Sequence, residues 1–290
     1  MKENSRRKSL KKLLLGTATL GSLPYLEAKA VQENEPLKGN VNHAVCHWPF
    51  NPMTLEELCI GIKKIGFNAI DLVGPNNWHI LQKHGVECSM CNGADLGIVQ
   101  GFNDPQYHQK LLQGYQEVIP LMAKAGYKNI IAFSGNRKGM DDETGLKNCA
   151  NGLKKIMSVA ENHGVTVTME LLNSKIDHPD YMCDKSAWGV ELCKLVGSEN
   201  LKLLYDIYHM QIMEGDLIRT IKRDHQYFGH YHTAGNPGRN EIDETQEIYY
   251  PAVVRAILDT GFKGYLCQEF VPKSKDKMAA LEQAIKICDL

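Results

Sequence analysis

Two strand-like runs decide the fold: Leu201-Lys-Leu-Leu-Tyr-Asp-Ile-Tyr-His209 and Phe228-Gly-His-Tyr-His-Thr-Ala-Gly235. A parallel strand that is buried on both faces is typically apolar along its whole length. Both runs depart from this pattern at their C-terminal ends, which is where α/β folds place their active sites. We therefore expect four side chains to gather near one edge of a sheet: Asp206, His209, His230 and His232.

Strand-like and helix-like runs alternate on both sides of this segment. Eight strand-like runs occupy residues 41–47, 69–73, 86–91, 129–133, 165–172, 201–207, 228–233 and 264–270. Eight helix-like runs, with apolar residues three and four positions apart, occupy residues 55–65, 78–84, 107–125, 146–163, 187–196, 216–224, 250–260 and 277–288. Eight such repeats in about 260 residues predict a (β/α)8 TIM barrel, a single α/β domain over residues 40–290. A doubly wound open sheet is the alternative, but no G-x-G-x-x-G motif follows the first strand and no P-loop occurs.

Residues 1–30 have the pattern of an export signal peptide. A basic stretch, Ser5-Arg-Arg-Lys-Ser-Leu-Lys11, precedes an apolar stretch at 13–23 and the small residues of Ala28-Lys-Ala30. The pattern predicts cleavage after Ala30, and Arg6-Arg7 is similar to a twin-arginine signal. We expect an exported, periplasmic protein with a polar linker at 31–39. The apolar stretch is too short to span a bilayer comfortably, so no stable membrane span is expected after cleavage. An uncleaved basic anchor is the alternative.

The composition fits a folded protein without a nucleic-acid partner. Hydrophobic residues make up 43% of the chain, and the formal net charge is -1. This balance gives no field that would attract a polyanion, and the body of the chain has no basic patch. The same sequence leaves a homo-oligomer open.

Nine cysteines, at 46, 59, 88, 91, 149, 183, 193, 267 and 288, form no closely spaced disulfide framework. Most lie in apolar runs, so we expect buried free thiols. Cys88-Ser-Met-Cys91 has the spacing of a metal or redox pair, but residues three apart on a regular strand point to opposite faces. We therefore expect these two cysteines to pack separately.

Polar residues end the last four predicted strands, about one strand–helix unit apart: Glu170, Asp206, His232 and Glu269. Catalytic groups of a barrel come from the C-terminal ends of several strands. Three carboxylates held close together repel one another unless a cation lies between them. The set therefore predicts a divalent metal site that suits Mg²⁺ or Mn²⁺ and does not exclude Zn²⁺ or Co²⁺.

Other polar residues lie near this predicted site. His230 and His232 alternate with Tyr231, so they face the same side of the strand. His232 is closer to the strand end and is the predicted ligand, whereas His230 is expected to form hydrogen bonds deeper in the barrel. His209 could reach a substrate oxygen, and the guanidinium of Arg239 could bind a carboxylate or a pair of hydroxyls.

These segments resemble a known family. The segments are Glu170-Leu-Leu-Asn173, Leu204-Tyr-Asp-Ile-Tyr-His-Met-Gln211, His230-Tyr-His-Thr-Ala-Gly-Asn-Pro-Gly-Arg-Asn-Glu241 and Gln268-Glu269. Together they are similar to the xylose-isomerase-like TIM barrels, in particular the hydroxypyruvate isomerase branch, and the resemblance extends from about residue 40 onward. It implies that Glu170, Asp206, His232 and Glu269 bind the metal and that the two glutamates double as acid and base. It also implies that His209 and Arg239 hold the substrate.

The resulting hypothesis is a metal-dependent isomerase that interconverts aldehyde and ketone forms of a small hydroxycarbonyl compound or sugar through an enediolate. A ketose or sugar 3-epimerase on the same scaffold is the alternative. Endonuclease activity at abasic DNA sites is disfavoured by the charge and by the small number of ligands on the earlier strands. A non-enzyme alternative is a periplasmic sugar-binding protein, which the fold alone would permit.

Overall fold

Short apolar segments form the strands of the molecule, and longer amphipathic segments form its helices. The computed structural model describes residues 36–290, which form one compact unit. The predicted signal peptide at 1–30 and most of the predicted linker at 31–39 lie outside the described residues. The strands are β1 (Asn42–Cys46), β2 (Ala69–Val73), β3 (Glu87–Cys91), β4 (Asn129–Ala132), β5 (Thr166–Glu170), β6 (Leu201–Asp206), β7 (Phe228–Thr233) and β8 (Tyr265–Gln268).

Nine α-helices lie in the described part of the chain. They are α1 (Leu55–Ile65), α2 (Trp78–His84), α3 (His108–Ala125), α4 (Asp142–His163), α5 (Ser186–Val196), α6 (Ile207–Met213), α7 (Leu217–Asp224), α8 (Tyr250–Asp259) and α9 (Lys277–Cys288). Short 3₁₀ turns occupy Trp48–Phe50, Pro75–Asn77, Pro105–Tyr107 and His225–Tyr227. Within residues 36–290, none of the helices combines the length and apolar character that crossing a membrane requires.

The eight strands pair in chain order and close into a parallel barrel. Closure is made by β1 and β8, which align from Asn42 opposite Tyr265 to Val45 opposite Gln268. Apolar side chains between the barrel and the surrounding helices form the main core. The structure therefore confirms the predicted TIM barrel, and it places all the C-terminal strand ends at one mouth.

Helix ends follow the local chemistry of the sequence. Thr54 accepts a hydrogen bond from the backbone of Glu57, and the Glu57 side chain accepts one from Thr54, which makes a capping box before α1. Gly66 ends α1 with a φ of 114°, a conformation that residues with a Cβ rarely adopt. Signals of this kind explain why the predicted helix boundaries agree with the observed ones to within a few residues.

One helix was not predicted, because no polar linker separates it from its strand. Helix α6 begins directly after β6, where Asp206 ends the strand and also caps the helix. The Asp206 carboxylate accepts a hydrogen bond from the backbone N–H of His209 at 3.0 Å. As a result His209 lies in the first turn of a helix at the barrel mouth.

The nine cysteines are all free and buried, as predicted. The expectation that Cys88 and Cys91 point to opposite faces is wrong, since their Sγ atoms lie 3.4 Å apart. The alignment of β2 with β3 shifts on both sides of Asp71, so β3 does not keep the regular alternation of a strand.

Candidate metal centre

Four predicted ligands from the last four strands meet at the barrel mouth. Glu170 and Asp206 end β5 and β6, His232 lies in β7, and Glu269 follows β8. One ligand atom from each lies within 4.8 Å of the others, and all four residues are buried. We call this set the carboxylate cluster. Strand register produces it, because Asp206 aligns directly with His232 across β6 and β7.

The His232 imidazole lies at the centre of the carboxylate cluster. Its Nδ1 lies 3.0 Å from Glu269 Oε2, 3.4 Å from Glu170 Oε1 and 4.0 Å from Asp206 Oδ2. Its other nitrogen, Nε2, donates to Asp71 Oδ2 at 3.0 Å. The ring is therefore oriented with Nδ1 toward the three carboxylates and Nε2 toward the barrel interior.

The charges in the carboxylate cluster are strongly coupled. Burial raises the pKa of Glu170, and burial together with the charge of Glu269 raises the pKa of Asp206 to about 7. Burial would also raise the pKa of Glu269, but Arg239 and His232 hold it well below its usual value. Burial would lower the pKa of His232, whereas the charge of Glu269 raises it well above its usual value. Without an ion, the carboxylates thus depend on an imidazolium and a guanidinium for charge compensation.

The donor set of the carboxylate cluster fits a divalent cation. Donors at about 2.1 Å from an octahedral ion are separated by about 3.0 to 4.2 Å, close to the spacing found here. Three carboxylates and one imidazole suit Mg²⁺ or Mn²⁺ and tolerate Zn²⁺ or Co²⁺. An ion at this position would remove the carboxylate repulsion and accept the lone pair of His232 Nδ1.

Asp71, beneath the carboxylate cluster, was missed by the sequence reasoning. It is fully buried in β2 and accepts hydrogen bonds from His230 Nε2 at 2.5 Å and from His232 Nε2 at 3.0 Å. Ser89 donates to its other carboxylate oxygen. The following residue, Leu72, has a φ of 61°, as expected where a strand irregularity redirects a side chain near a functional site. The predicted role of His230 in a deeper hydrogen bond is confirmed.

His209 presents a defined hydrogen-bond donor next to the carboxylate cluster. The backbone N–H groups of Ile176 and Asp177 donate to Asn173 Oδ1, which fixes the orientation of the Asn173 amide. Asn173 Nδ2 then donates to His209 Nδ1 at 2.6 Å. His209 Nε2 must therefore carry the hydrogen. This nitrogen lies 3.8 Å from Asp206 Oδ2 and has no hydrogen-bond partner among the described residues.

Arg239 binds one of the predicted ligands. Its Nη2 donates to Glu269 Oε2 at 2.5 Å, and its guanidinium carbon lies 5.1 Å from the ring of Trp48 and 5.8 Å from that of Tyr208. Its buried Nε has no acceptor within residues 36–290. The backbone at Arg239, in the loop after β7, has a φ of 59°, and the side chain lies against Glu269 at the mouth. The guanidinium therefore has a hydrogen-bond donor that is not used by Glu269.

Trp48, in the turn after β1, completes the contacts of Glu269. Its Nε1 donates to Glu269 Oε1 at 2.9 Å, while 42% of the residue remains exposed. Trp48 is not among the site residues predicted from the sequence. The position of a tryptophan at a strand end was the available signal, but the bond to Glu269 depends on how the barrel closes.

A family model described as a xylose isomerase-like TIM barrel matches residues 62–288. Among relatives, 2-oxo-tetronate isomerase of Cupriavidus necator is 38% identical over 117 residues, which are 40% of this chain and 44% of that protein. Hydroxypyruvate isomerase of Escherichia coli is 28% identical over 223 residues, which are 72% of this chain and 84% of that protein. The match therefore spans less than half of the first relative and most of the second.

Comparison with solved structures agrees with this fold. An AP endonuclease, family 2, from Brucella melitensis superimposes with a TM-score of 0.74 over 83% of this chain and 97% of that chain. The two sequences are 22% identical. At this identity the likeness shows the barrel fold alone, because one fold hosts many activities.

Proposed function

The chain belongs to the xylose isomerase-like TIM barrel family, and from this membership we propose that it is a metal-dependent isomerase of a small hydroxycarbonyl compound. The observation that carries the proposal is the convergence of Glu170, Asp206, His232 and Glu269 at the barrel mouth. Two of these ligands are glutamates, which can also move a proton. The relatives named as isomerases support the same reaction class.

A divalent ion held by the carboxylate cluster would act as a Lewis acid on the substrate carbonyl and would stabilise the negative charge that develops during enolisation. The residues of the chain supply the proton transfer. One glutamate removes the proton from the hydroxyl-bearing carbon next to the carbonyl, and the same or the other glutamate returns it to the former carbonyl carbon. The proton of the substrate hydroxyl passes to the former carbonyl oxygen, which completes the exchange. Glu269 is suited to begin as a base, because Arg239 and Trp48 hold its carboxylate in the ionised form.

The hydrogen-bond donors at the mouth favour an oxo acid as substrate. Hydroxypyruvate and 2-oxo-tetronate, which the names of the two relatives contain, each carry a carboxylate beside a carbonyl. His209 Nε2–H and Arg239 Nε–H are buried donors without an acceptor in the described structure, and buried donors are normally satisfied. We assign them to substrate oxygens, with Arg239 positioned for the carboxylate and His209 for an oxygen near Asp206.

A 3-epimerase is the second candidate, favoured by the placement of the two glutamates. Glu170 ends β5 and Glu269 follows β8, so the two carboxylates come from strands that are separated by β6 and β7. If one glutamate removes a proton from one face of a carbon and the other protonates the opposite face, the product is an epimer. If the proton is instead delivered to the neighbouring carbon, the product is the aldehyde or ketone isomer.

Solvent isotope exchange tests the proposed function. The purified protein is incubated in D₂O with Mn²⁺ and, separately, hydroxypyruvate, 2-oxo-tetronate and a panel of ketoses, and the products are identified by NMR. An isomerase incorporates deuterium and forms the aldehyde or ketone isomer of an oxo acid, whereas an epimerase inverts one carbon of a ketose. A sugar-binding protein binds ligand without exchange, and that result would contradict the proposal.

We also propose that the protein works in the periplasm. The support is the basic, apolar and small-residue pattern of residues 1–30. Cell fractionation of a C-terminally tagged chain tests this localisation. Replacing Arg6 and Arg7 with lysine should retain the protein in the cytoplasm. If the variant is exported as efficiently as the wild type, a twin-arginine route is contradicted.

A further inference from the structure

A second group of potential metal ligands lies in the barrel interior beneath the carboxylate cluster. It comprises Cys46 in β1, Asp71 in β2, His232 in β7 and Cys267 in β8, and one ligand atom from each lies within 4.8 Å of the others. All four residues have 0% exposure. We call this set the thiol cluster. It shares His232 with the carboxylate cluster but has two sulfur donors in place of two carboxylates.

We propose that the thiol cluster is a second metal site, selective for a thiophilic divalent ion such as Zn²⁺, and that His232 connects the two sites through its two ring nitrogens. Two thiolates, one imidazole and one carboxylate are typical ligands of a tetrahedral zinc ion. Soft sulfur donors also distinguish this set from the oxygen-rich carboxylate cluster, which suits harder ions. The inference does not depend on the proposed isomerase activity.

Strand pairing positions the four donors before any ion binds. Cys46 aligns with Asp71 across β1 and β2, and His232 aligns with Cys267 across β7 and β8. Barrel closure between β1 and β8 then places Cys46 Sγ 3.6 Å from Cys267 Sγ. Two sulfurs at about 2.3 Å from one tetrahedral zinc ion lie about 3.8 Å apart. The two thiols therefore already have nearly the separation that a zinc ion requires.

The other two donors face the same space. Asp71 Oδ2 lies 3.0 Å from His232 Nε2. His232 therefore directs Nδ1 toward the carboxylate cluster and Nε2 toward the thiol cluster. All donor separations in the thiol cluster are within 4.8 Å, and donors of a tetrahedral zinc ion lie about 3.3 to 3.8 Å apart. Binding requires the thiols and His232 Nε2 to release their hydrogens, which makes the site dependent on proton release.

The two ligand sets are in direct contact, since Cys46 Sγ lies 3.6 Å from Glu269 Oε1. The competing explanation is that Cys46 and Cys267 only pack as small apolar side chains. Under that explanation Asp71 serves solely as a hydrogen-bond acceptor for His230, His232 and Ser89.

Cobalt titration of the metal-free full chain distinguishes these explanations. Co²⁺ bound to thiolate gives a near-ultraviolet charge-transfer band that an oxygen-rich site does not give. We expect two Co²⁺ per chain and this band in the wild type. Cys46→Ser/Cys267→Ser should lose the band and one equivalent, whereas Glu170→Gln/Asp206→Asn should keep the band and lose the other equivalent.

The pair Cys88 and Cys91 provides a matched control, because their sulfurs are also buried and close together but, within residues 36–290, no histidine completes a metal-binding set with them. Cys88→Ser/Cys91→Ser should retain the band. X-ray absorption of the zinc-loaded wild type, which needs no variant to fold, should show sulfur neighbours at about 2.3 Å. A shell of only oxygen and nitrogen, or a cobalt band that survives Cys46→Ser/Cys267→Ser, would overturn the proposal.

Discussion

Asn173 donates a hydrogen bond to Nδ1 of His209 at 2.6 Å, and this single contact determines which His209 nitrogen faces the carboxylate cluster. Burial and the nearby Arg239 lower the pKa of His209 well below its usual value, so the ring is neutral. A neutral ring that accepts at Nδ1 must donate from Nε2. The side chain is therefore a fixed donor and not a proton carrier.

This relationship predicts the effect of removing the donor. His209→Leu should raise KM for the substrate by about 10- to 100-fold, because a substrate oxygen loses a buried hydrogen bond worth about 1–3 kcal/mol. His209→Gln should recover part of the loss, since its amide can donate from a similar position. Steady-state kinetics and Mn²⁺ titration measure substrate and metal binding separately. The control is His79→Leu at an exposed position. If the KM of His209→Leu equals that of His79→Leu, His209 does not donate a hydrogen bond to the substrate.

The two glutamates should be required for proton transfer. Glu170→Gln and Glu269→Gln each remove a proton acceptor while preserving shape, so we expect turnover to fall by about 10²- to 10⁴-fold. Deuterium incorporation from D₂O should fall in parallel. The measurement is made at saturating Mn²⁺ on variants with a native circular dichroism spectrum. Glu143→Gln, at a side chain that is 76% exposed, should leave turnover unchanged. Full activity in either active-site variant would refute the assignment.

Arg239 should set the pH range in which Glu269 works as a base. Burial alone raises the pKa of Glu269, and Arg239 is the largest influence that lowers it. In Arg239→Met the pKa of Glu269 should rise, so Glu269 becomes ionised only at higher pH. The acid limb of the pH profile of kcat/KM should therefore shift to higher pH. Arg239→Lys should restore the limb only partly, because an ammonium cannot reproduce the planar contacts of the guanidinium. The exposed Arg255→Met is the control. An unmoved acid limb would show that Arg239 does not act on Glu269.

Metal removal should abolish activity, and rebinding of the ion should release protons from the carboxylate cluster. Dialysis against a chelator should inactivate the protein, and Mn²⁺ or Mg²⁺ should restore it. Because the pKa of Asp206 is about 7 in the ion-free protein, protons compete with the ion, and Mn²⁺ affinity should fall as pH decreases below 7. Calorimetry in buffers of different ionisation enthalpy counts the released protons. At about 100 times Kd the ion should add about 2.7 kcal/mol of stability. Activity that persists in demonstrably metal-free protein would contradict metal dependence.

Sequence periodicity was sufficient for the barrel, because short strand-like runs alternate with amphipathic helix-like runs and most helices end at a recognisable glycine. It was insufficient where two elements join directly. Ile207 and Tyr208 continue the apolar pattern of β6, so the predicted strand extends to Ile207 and the pattern does not show that α6 begins there. Strand ends also identified the four residues of the carboxylate cluster, since parallel strands bring their C-terminal ends to one mouth.

Asp71 shows what the pattern could not provide. An aspartate within Ala69-Ile-Asp-Leu-Val73 is an evident anomaly in a buried strand, but its inward direction depends on the irregular register between β2 and β3. The same irregularity brings Cys88 and Cys91 together. Likewise, the contacts of Arg239 depend on a loop whose backbone conformation no periodicity encodes. Register and loop geometry are set by tertiary packing, so they become visible only in three dimensions.

The carboxylate cluster is spread along the chain from Glu170 to Glu269, with one member at or after each of the last four strands. A ribosome must therefore translate past residue 269, and β8 must pair with β7, before a complete set of ligands exists. Ion loading thus follows synthesis and cannot guide the folding of the first half. For an exported chain, the order of folding and translocation then decides whether the cytoplasm or the receiving compartment supplies the ion.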